Sequence, residues 1–234
     1  MSGSPSAEKA FVSVVVPVYN EERYISGVIE AIVRQDYGLE YMEILLVDGG
    51  SADRTVEMIR QYQTRYPQIR LLDNPRRMVQ TSLNVGIQAA KGEYIVRLDA
   101  HADFADDYIS QSIAAIERTG AADVGGPTVA KGTSPVQRMV AAAYHSPFAV
   151  GDSKHYQEDY EGYGETVFMG TFRREYLLEL GMYDERLNCN EDDDLTFRIA
   201  ARGDRIFISS KIKSVYYPRD TYRGLFKQRF RYGY

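Results

Sequence analysis

Tryptophan is absent from the 234 residues, and cysteine occurs once, at Cys189. A single thiol closes no internal disulfide, so packing must hold the fold, as in a reducing compartment. No run of about 18 apolar residues exists, which excludes a membrane-spanning helix. Met1 to Ala10 carry no apolar centre and read as a flexible tail rather than a secretory leader. Basic excess is missing too. The formal charge is -5, so no global electrostatic grip on nucleic acid is expected. Neither G-x-G-x-x-G after a strand nor G-x-x-x-x-G-K-[ST] occurs, which argues against a dinucleotide dehydrogenase or a P-loop NTPase. What is present is a 44% apolar chain, enough for one sizeable core.

Phe11 to Val16 is a β-branched apolar run ended by Pro17, the pattern of a buried parallel strand. Ile25, Val28, Ile29 and Ile32 then recur at helical spacing, with Asn20 as the expected cap. The alternation repeats. Strands are predicted at Glu43–Val47, Ile69–Leu72 and Tyr94–Leu98, and helices carry Val56, Ile59 and Tyr62, then Val79, Leu83, Ile87 and Ala90. Ser51 or Asp53 is the expected cap of the second helix. Such alternation predicts an α/β fold with a doubly wound, mostly parallel sheet. Further on, Ile109, Ile113 and Ile116 mark a helix and Val124–Gly126 a short strand. Pro147 to Gly164 has no period and reads as a long loop. Helices are predicted around Arg174–Leu180 and Asp194–Arg202, and strands near Arg205–Ile208 and Lys213–Tyr217. No linker, repeat or low-complexity stretch divides the chain, so residues 11–234 are expected to form one domain.

Ligands of open α/β sheets bind beyond the carboxyl ends of the strands. Three strands end there in polar groups: Pro17-Val18-Tyr19-Asn20-Glu21, Asp48-Gly49-Gly50-Ser51 and Asp99-Ala100-His101-Ala102-Asp103. Singly, each is ordinary strand punctuation or capping. Together they converge on one edge. With no phosphate-binding glycine loop, a phosphorylated ligand would need arginines or a metal on carboxylates. Asp99 with His101 would suit Mn²⁺ or Mg²⁺, with Asp103 as an alternative ligand. Glu191-Asp192-Asp193-Asp194 precede Leu195, Phe197 and Ile199. Some of these carboxylates only complement a helix dipole. Four in a row repel one another, which favours a role for one as a general base. Lys227 to Tyr232 mixes cations and aromatics and reads as a basic, partly exposed helix.

These segments resemble glycosyltransferase family 2, whose members have the GT-A fold and invert the anomeric centre. Val14-Val15-Val16-Pro17-Val18-Tyr19-Asn20-Glu21 resembles the family's opening strand and loop. Leu46 to Thr55 is similar to its D-D-G-S-x-D-x-T signature, and Lys91 to His101 to the strand ending in D-x-D. Glu191-Asp192-Asp193-Asp194-Leu195 matches E-D-x-D-L, and Gln228-Arg229-Phe230-Arg231-Tyr232 resembles Q-x-x-R-W. The D-A-H variant and Asn74-Pro75-Arg76-Arg77 look most like the ExoA-type exopolysaccharide glucosyltransferases. The departures are Gly49 for an aspartate, His101 for a metal-binding carboxylate, and Tyr232 for tryptophan.

The resemblance implies a UDP-sugar donor, with glucose as the sugar, and a glycan or lipid-linked oligosaccharide acceptor. It implies a Rossmann-like nucleotide-binding half over 11–103 and an acceptor-binding, catalytic half over 104–234. Pro17, Val18, Tyr19, Glu21, Asp48, Asn74, Arg97 and Asp99 would hold the nucleotide. Asp99 and His101 would hold Mn²⁺ or Mg²⁺, and Asp192 would be the base. Gln228, Arg231 and Tyr232 would close over the diphosphate, and Gly170, Thr171 and Glu191 would lie near donor sugar and acceptor. The Pro147–Gly164 loop, with Tyr156, Tyr160 and Tyr163, would cover the acceptor. Relatives often continue into membrane-associated segments, so the chain is expected to be part of a longer protein, peripheral at the inner membrane face. Two rivals stand beside this reading. A nucleotidyltransferase needs an early basic, glycine-rich loop that Val14–Glu21 lacks. An inactive nucleotide-binding scaffold is suggested by His101 alone.

Overall fold

The computed structural model describes residues 9–232, with the side chains of Pro147, Arg229, Arg231 and Tyr232 outside that description. The first half alternates as the sequence predicts. Strands β1 (Val12–Val18), β2 (Met42–Asp48), β3 (Ile69–Asp73) and β4 (Tyr94–Arg97) are joined through helices α1 (Ile25–Val33), α2 (Thr55–Gln63) and α3 (Val79–Ala89). All four strands are parallel, in the order β3-β2-β1-β4.

The chain then adds β5 (Asp103–Phe104), α4 (Tyr108–Thr119), β6 (Asp123–Gly126), α5 (Pro135–Tyr144), α6 (Pro147–Val150) and β7 (Glu161–Gly164). It ends in β8 (Phe168–Arg173), α7 (Arg174–Leu180), α8 (Glu191–Ala201), β9 (Ile206–Ser209), β10 (Ser214–Val215) and α9 (Tyr222–Tyr232). One continuous eight-stranded sheet results, ordered β3-β2-β1-β4-β8-β6-β9-β7. β8 runs antiparallel to β4 and β6, and β7 antiparallel to β9. A two-stranded ribbon of β5 and β10 stands apart from it.

Both faces of the sheet are covered, which is why β1 and β2 are apolar nearly throughout. Val14, Val16, Ile44 and Leu46 pack with Ile29, Ile32, Ile109 and Ile113 on one face. Val15, Leu45 and Ile95 meet Leu83, Ile87, Leu195 and Ile199 on the other. Strict alternation along each strand sends its neighbours to opposite cores.

Four expectations change. Asn20 does not cap α1: its backbone is left-handed (φ 54), and its Oδ1 accepts the Ala52 N–H at 2.8 Å. The cap position of α2 is Arg54, without a side-chain cap bond, while Asp53 Oδ1 accepts from Thr55 N at 3.0 Å in the turn ahead of it. The Pro147–Gly164 stretch is not one loop, since it contains α6, a 3-10 turn at Lys154–Tyr156 and the sheet-edge strand β7. Helix α8 starts at Glu191, three residues earlier than the apolar period suggests, because its first turn is entirely acidic. β5, α5 and β8 went unread in the sequence. β8 is short and interrupted by Gly170, so only its partners make it a strand. α5 carries a capping box between Ser134 and Gln137, a legible signal.

Candidate active site

Three loops meet beyond the carboxyl ends of β1, β2 and β4, laced by backbone hydrogen bonds. Gly49 N donates to Val18 O at 2.8 Å, Asn20 N to Ser51 Oγ at 2.9 Å, and Glu21 N to Thr55 Oγ1 at 2.7 Å. The Asp48 carboxylate is buried. It accepts from Gly50 N at 3.1 Å, Ser51 N at 3.1 Å and Ser51 Oγ at 2.6 Å. Asp48 therefore braces the turn, with little acceptor capacity left for a ligand. Tyr19 is 55% exposed, an open aromatic face at the mouth of this wall, with Pro17 half-buried and Val18 buried behind it.

Asn74 is 1% exposed. Its amide nitrogen donates to Met78 O and Ser82 Oγ, both at 2.8 Å, and its Oδ1 accepts from Arg76 N at 3.0 Å. It shapes the following loop rather than facing the cleft. That loop places Arg77, which sequence reasoning left unassigned. Arg77 has a left-handed backbone (φ 60), and its Nε lies 3.0 Å from where a Cβ on Gly50 would stand. Glycine at 50 makes room for a guanidinium directly over the Asp48 turn. The basic Arg76-Arg77 pair was the available signal.

The end of β4 carries the charged centre. Arg97 is largely buried; its Nη1 hydrogen-bonds Asp192 Oδ1, and its Nη2 lies 3.5 Å from Asp99 Oδ1. Burial disfavours its charge, yet the two carboxylates more than compensate and raise its pKa. Tyr183, buried, sets its ring 6.0 Å from the guanidinium carbon. His101 Nδ1 stands 3.4 Å from Glu21 Oε1. That hydrogen bond, helped by the Asp99 charge, raises its pKa despite burial. Asp103 is elsewhere engaged: its Oδ2 accepts from Tyr217 OH at 2.6 Å.

Helix α8 supplies the acids. Asn190 precedes it with φ 60, a left-handed turn that asparagine tolerates. Glu191 is raised by burial and then by the adjacent Asp192. Asp194 pairs with Arg198 at 2.8 Å, while Arg198 ties down the carbonyls of Leu180 and Met182 at 2.8 and 2.6 Å. Thus Asp194 is structural, and Asp192 turns toward the β4 edge. Next to it opens a cleft of about 860 Å³ lined by Asn188, Cys189, Asn190, Asp193 and Phe230.

Gly170 and Thr171 do not line this cleft; both are buried in β8. Gln228 Nε2 lies 3.4 Å from Tyr216 OH. The side chains of Arg231 and Tyr232 lie outside the described residues, although α9 carries their backbone. Among the described residues no three His, Cys, Asp or Glu groups gather around one point as a metal cage, and no helix is long and apolar enough to cross a membrane.

The Glycosyl transferase family 2 sequence model matches residues 13–181, which include all three loops of this edge. The chain belongs to glycosyltransferase family 2. It is a glycosyltransferase. It is 33% identical over 222 residues to the succinoglycan biosynthesis protein ExoA of Rhizobium meliloti (strain 1021), covering 94% of this chain and 67% of that protein. The dolichyl N-acetyl-α-D-glucosaminyl phosphate 3-β-D-2,3-diacetamido-2,3-dideoxy-β-D-glucuronosyltransferase of Methanococcus voltae is 28% identical, over 95% of this chain and 72% of its own. Among solved structures, the mannosyltransferase PcManGT from Pyrobaculum calidifontis, in complex with GDP-Man and Mn²⁺, superposes with a TM-score of 0.74 at 22% identity. It is covered over 61% of its length and this chain over 97%. S. aureus TarS 1-349 with UDP-GlcNAc gives 0.70 at 19% identity, over 90% of this chain and 59% of that one. These likenesses establish the GT-A fold.

Proposed function

We propose that the protein transfers a sugar from a nucleotide-sugar, with UDP-glucose as donor, to a hydroxyl of a glycan or lipid-linked oligosaccharide, inverting the anomeric centre during polysaccharide synthesis. The observation that carries this reading is Asp192, half exposed and held by Arg97 beside Asp99 at the carboxyl end of β4, one residue before Asp193 of the cleft wall. The succinoglycan role in the name of ExoA supports the pathway class. Nucleotide-sugar complexes of the two structural neighbours support the donor class.

Inversion by single displacement needs one base on the acceptor and neutralisation of the departing diphosphate. Asp192 accepts the acceptor's proton as the new C–O bond forms, an assistance typically worth roughly 10² to 10⁴ in rate. Tyr19 and the Pro17–Glu21 loop take the base and ribose, with Arg77 beside them. Asp99 and His101 would hold Mn²⁺ or Mg²⁺. One carboxylate and one imidazole fit an ion that takes its remaining ligands from phosphate and water, and Glu21 against Nδ1 would orient the ring. Such an ion would offset charge on the diphosphate. By the family resemblance, Gln228, Arg231 and Tyr232 would close over the diphosphate, and Glu191 would border the acceptor. Residues 11–103 form the donor half and 104–234 the acceptor half. The cleft is within the size range of ligand sites, about 300–1,000 Å³, and takes the acceptor sugar, with Phe230 as a stacking face. Exposed Phe226 together with Lys227 and Arg223 lets α9 rest on an anionic membrane surface at the cytoplasmic face.

Thermal melting with UDP, GDP and UDP-glucose, each with and without Mn²⁺, tests the donor site. A ligand at 100 times its Kd adds about 2.7 kcal/mol of stability. A uridine-selective, metal-dependent rise is expected. No shift with any nucleotide overturns the proposal, and a shift without UDP release from UDP-glucose leaves the inactive scaffold reading.

A further inference from the structure

The β4–β8 ladder pairs Ile95 with Phe172 and Val96 with Thr171. One step further along that register, Gly170 stands opposite Arg97. On the other flank of β8, Asp123 pairs with Phe172. Ile95 and Phe172 belong to the core under α8, so alternation places Arg97, Gly170 and Asp123 on that same face. A Cβ on Gly170 would lie only 2.4 Å from Asp123 Oδ1 and 2.8 Å from Oδ2. Gly170 has no left-handed backbone, so space and not conformation demands glycine here. The Asp123 carboxyl occupies the room of the missing side chain, in the row that ends at Arg97.

Two polar atoms in this layer are buried without a hydrogen-bond partner: Asp123 Oδ1, an acceptor, and Arg97 Nε, a donor. Asp123 itself is 5% exposed. Folded proteins rarely leave such groups orphaned without a reason. Arg97 spends Nη1 on Asp192 and directs Nη2 toward Asp99, and the buried Tyr183 phenol also hydrogen-bonds the guanidinium, while Nε remains without a partner. We propose that Asp123 is a positioning residue: across the side-chain-free Gly170 it anchors the Arg97 guanidinium, directly or through one water, and so aims Asp192. This rests on the reading of Asp192 as the base.

The acid suits that task in its neutral form. Burial first, and then the Asp192 charge, push Asp123 well above the usual carboxylate range, against the pull of Arg97 and the backbone N–H of Thr171. The charged or titratable groups acting on this layer are Arg97 and Asp99 from β4, Glu191 and Asp192 from α8, and the phenols of Tyr108, Tyr176 and Tyr183. A third ionised carboxylate would compete with Asp192 for one arginine. A neutral acid accepts from Nε without competing.

The test compares Asp123→Asn, Asp123→Leu and Gly170→Ala, with Asp192→Asn alongside. The first readout needs no substrate: the Arg97 Nε–H resonance in ¹⁵N-arginine-labelled protein, assigned by its loss in Arg97→Lys. Asp123→Leu and Gly170→Ala should shift or broaden it, and Asp123→Asn should restore it. The second is release of UDP from UDP-glucose. A misplacement near 1 Å can cost about 10²-fold, so Asp123→Leu and Gly170→Ala should lose 10- to 100-fold in kcat by that scale, with UDP affinity unchanged. Asp123→Asn should recover most of the rate. Folded Leu and Ala variants with a wild-type Arg97 signal and wild-type turnover overturn the role, as does an Asn variant no better than Leu. Near-normal turnover in Asp192→Asn removes the base reading itself, and the Arg97 resonance then still reports on the anchor alone.

Discussion

At the scale of single residues, the site separates carboxylates left open to solvent from carboxylates that serve the backbone. The Asp192 carboxylate is held by the Arg97 guanidinium, and half of its side chain is exposed. Asp192→Asn should therefore keep UDP affinity while losing roughly 10² to 10⁴ in turnover, measured by calorimetry beside a UDP-release assay. Asp48 is the converse case. Its oxygens hold Gly50 and Ser51 in the turn, so Asp48→Ala should destabilise the fold by about 1–3 kcal/mol in urea melts. A wild-type melting curve would show that the turn holds without it. Asp48 was legible as a polar strand end and Asp192 as part of an acidic run opening a helix, but their division of labour was not. Sequence places a carboxylate at the edge and says nothing about which N–H groups fold back onto it.

Among the elements, Glu43 joins four segments from inside β2. It accepts from Ser13 Oγ at 2.7 Å, Lys91 N at 2.6 Å and Arg70 Nη1 at 2.7 Å. Burial raises its pKa, yet these donors together outweigh burial and hold it below the ordinary 4.5. A folded pKa below the unfolded one adds stability above the unfolded value, lost as pH falls through the folded one. Denaturant melts should lose this increment below about pH 4.5, and Glu43→Gln should flatten that acid limb while lowering stability at neutral pH. An unchanged acid limb in the variant would assign the loss to other carboxylates. Periodicity read α1 and α4 well, because each packs one apolar stripe on the sheet. It could not read β8, where Gly170 and flanking arginines erase any apolar alternation and the neighbours β4 and β6 confer the strand.

For the whole molecule, the cleft beside α8 is assembled from the 186–194 segment and α9, which are remote in sequence. Its wall holds the single cysteine, half-buried Cys189. Labelling with N-ethylmaleimide should therefore block sugar transfer yet leave UDP binding intact. A glycan acceptor should slow the labelling, and UDP alone should not. Labelling that leaves transfer at wild-type rate would place the acceptor elsewhere. The continuous sheet makes this geometry: β8, inserted antiparallel between β4 and β6, fastens the nucleotide edge to the strands that support α8.

By itself the sequence determined the alternating α/β order, the buried faces of β1 and β2, the polar strand ends and the family. These follow from local chemistry: side-chain period, β-branched runs, and charged or glycine-rich punctuation. Only the tertiary structure decided that Asn74, Gly170 and Thr171 are interior, that Asp103 turns to Tyr217, and that Arg97 links Asp192 to Asp99. Each of those outcomes depends on partners brought from distant segments, and a residue's hydrogen bonds across a sheet are not written in its own neighbourhood.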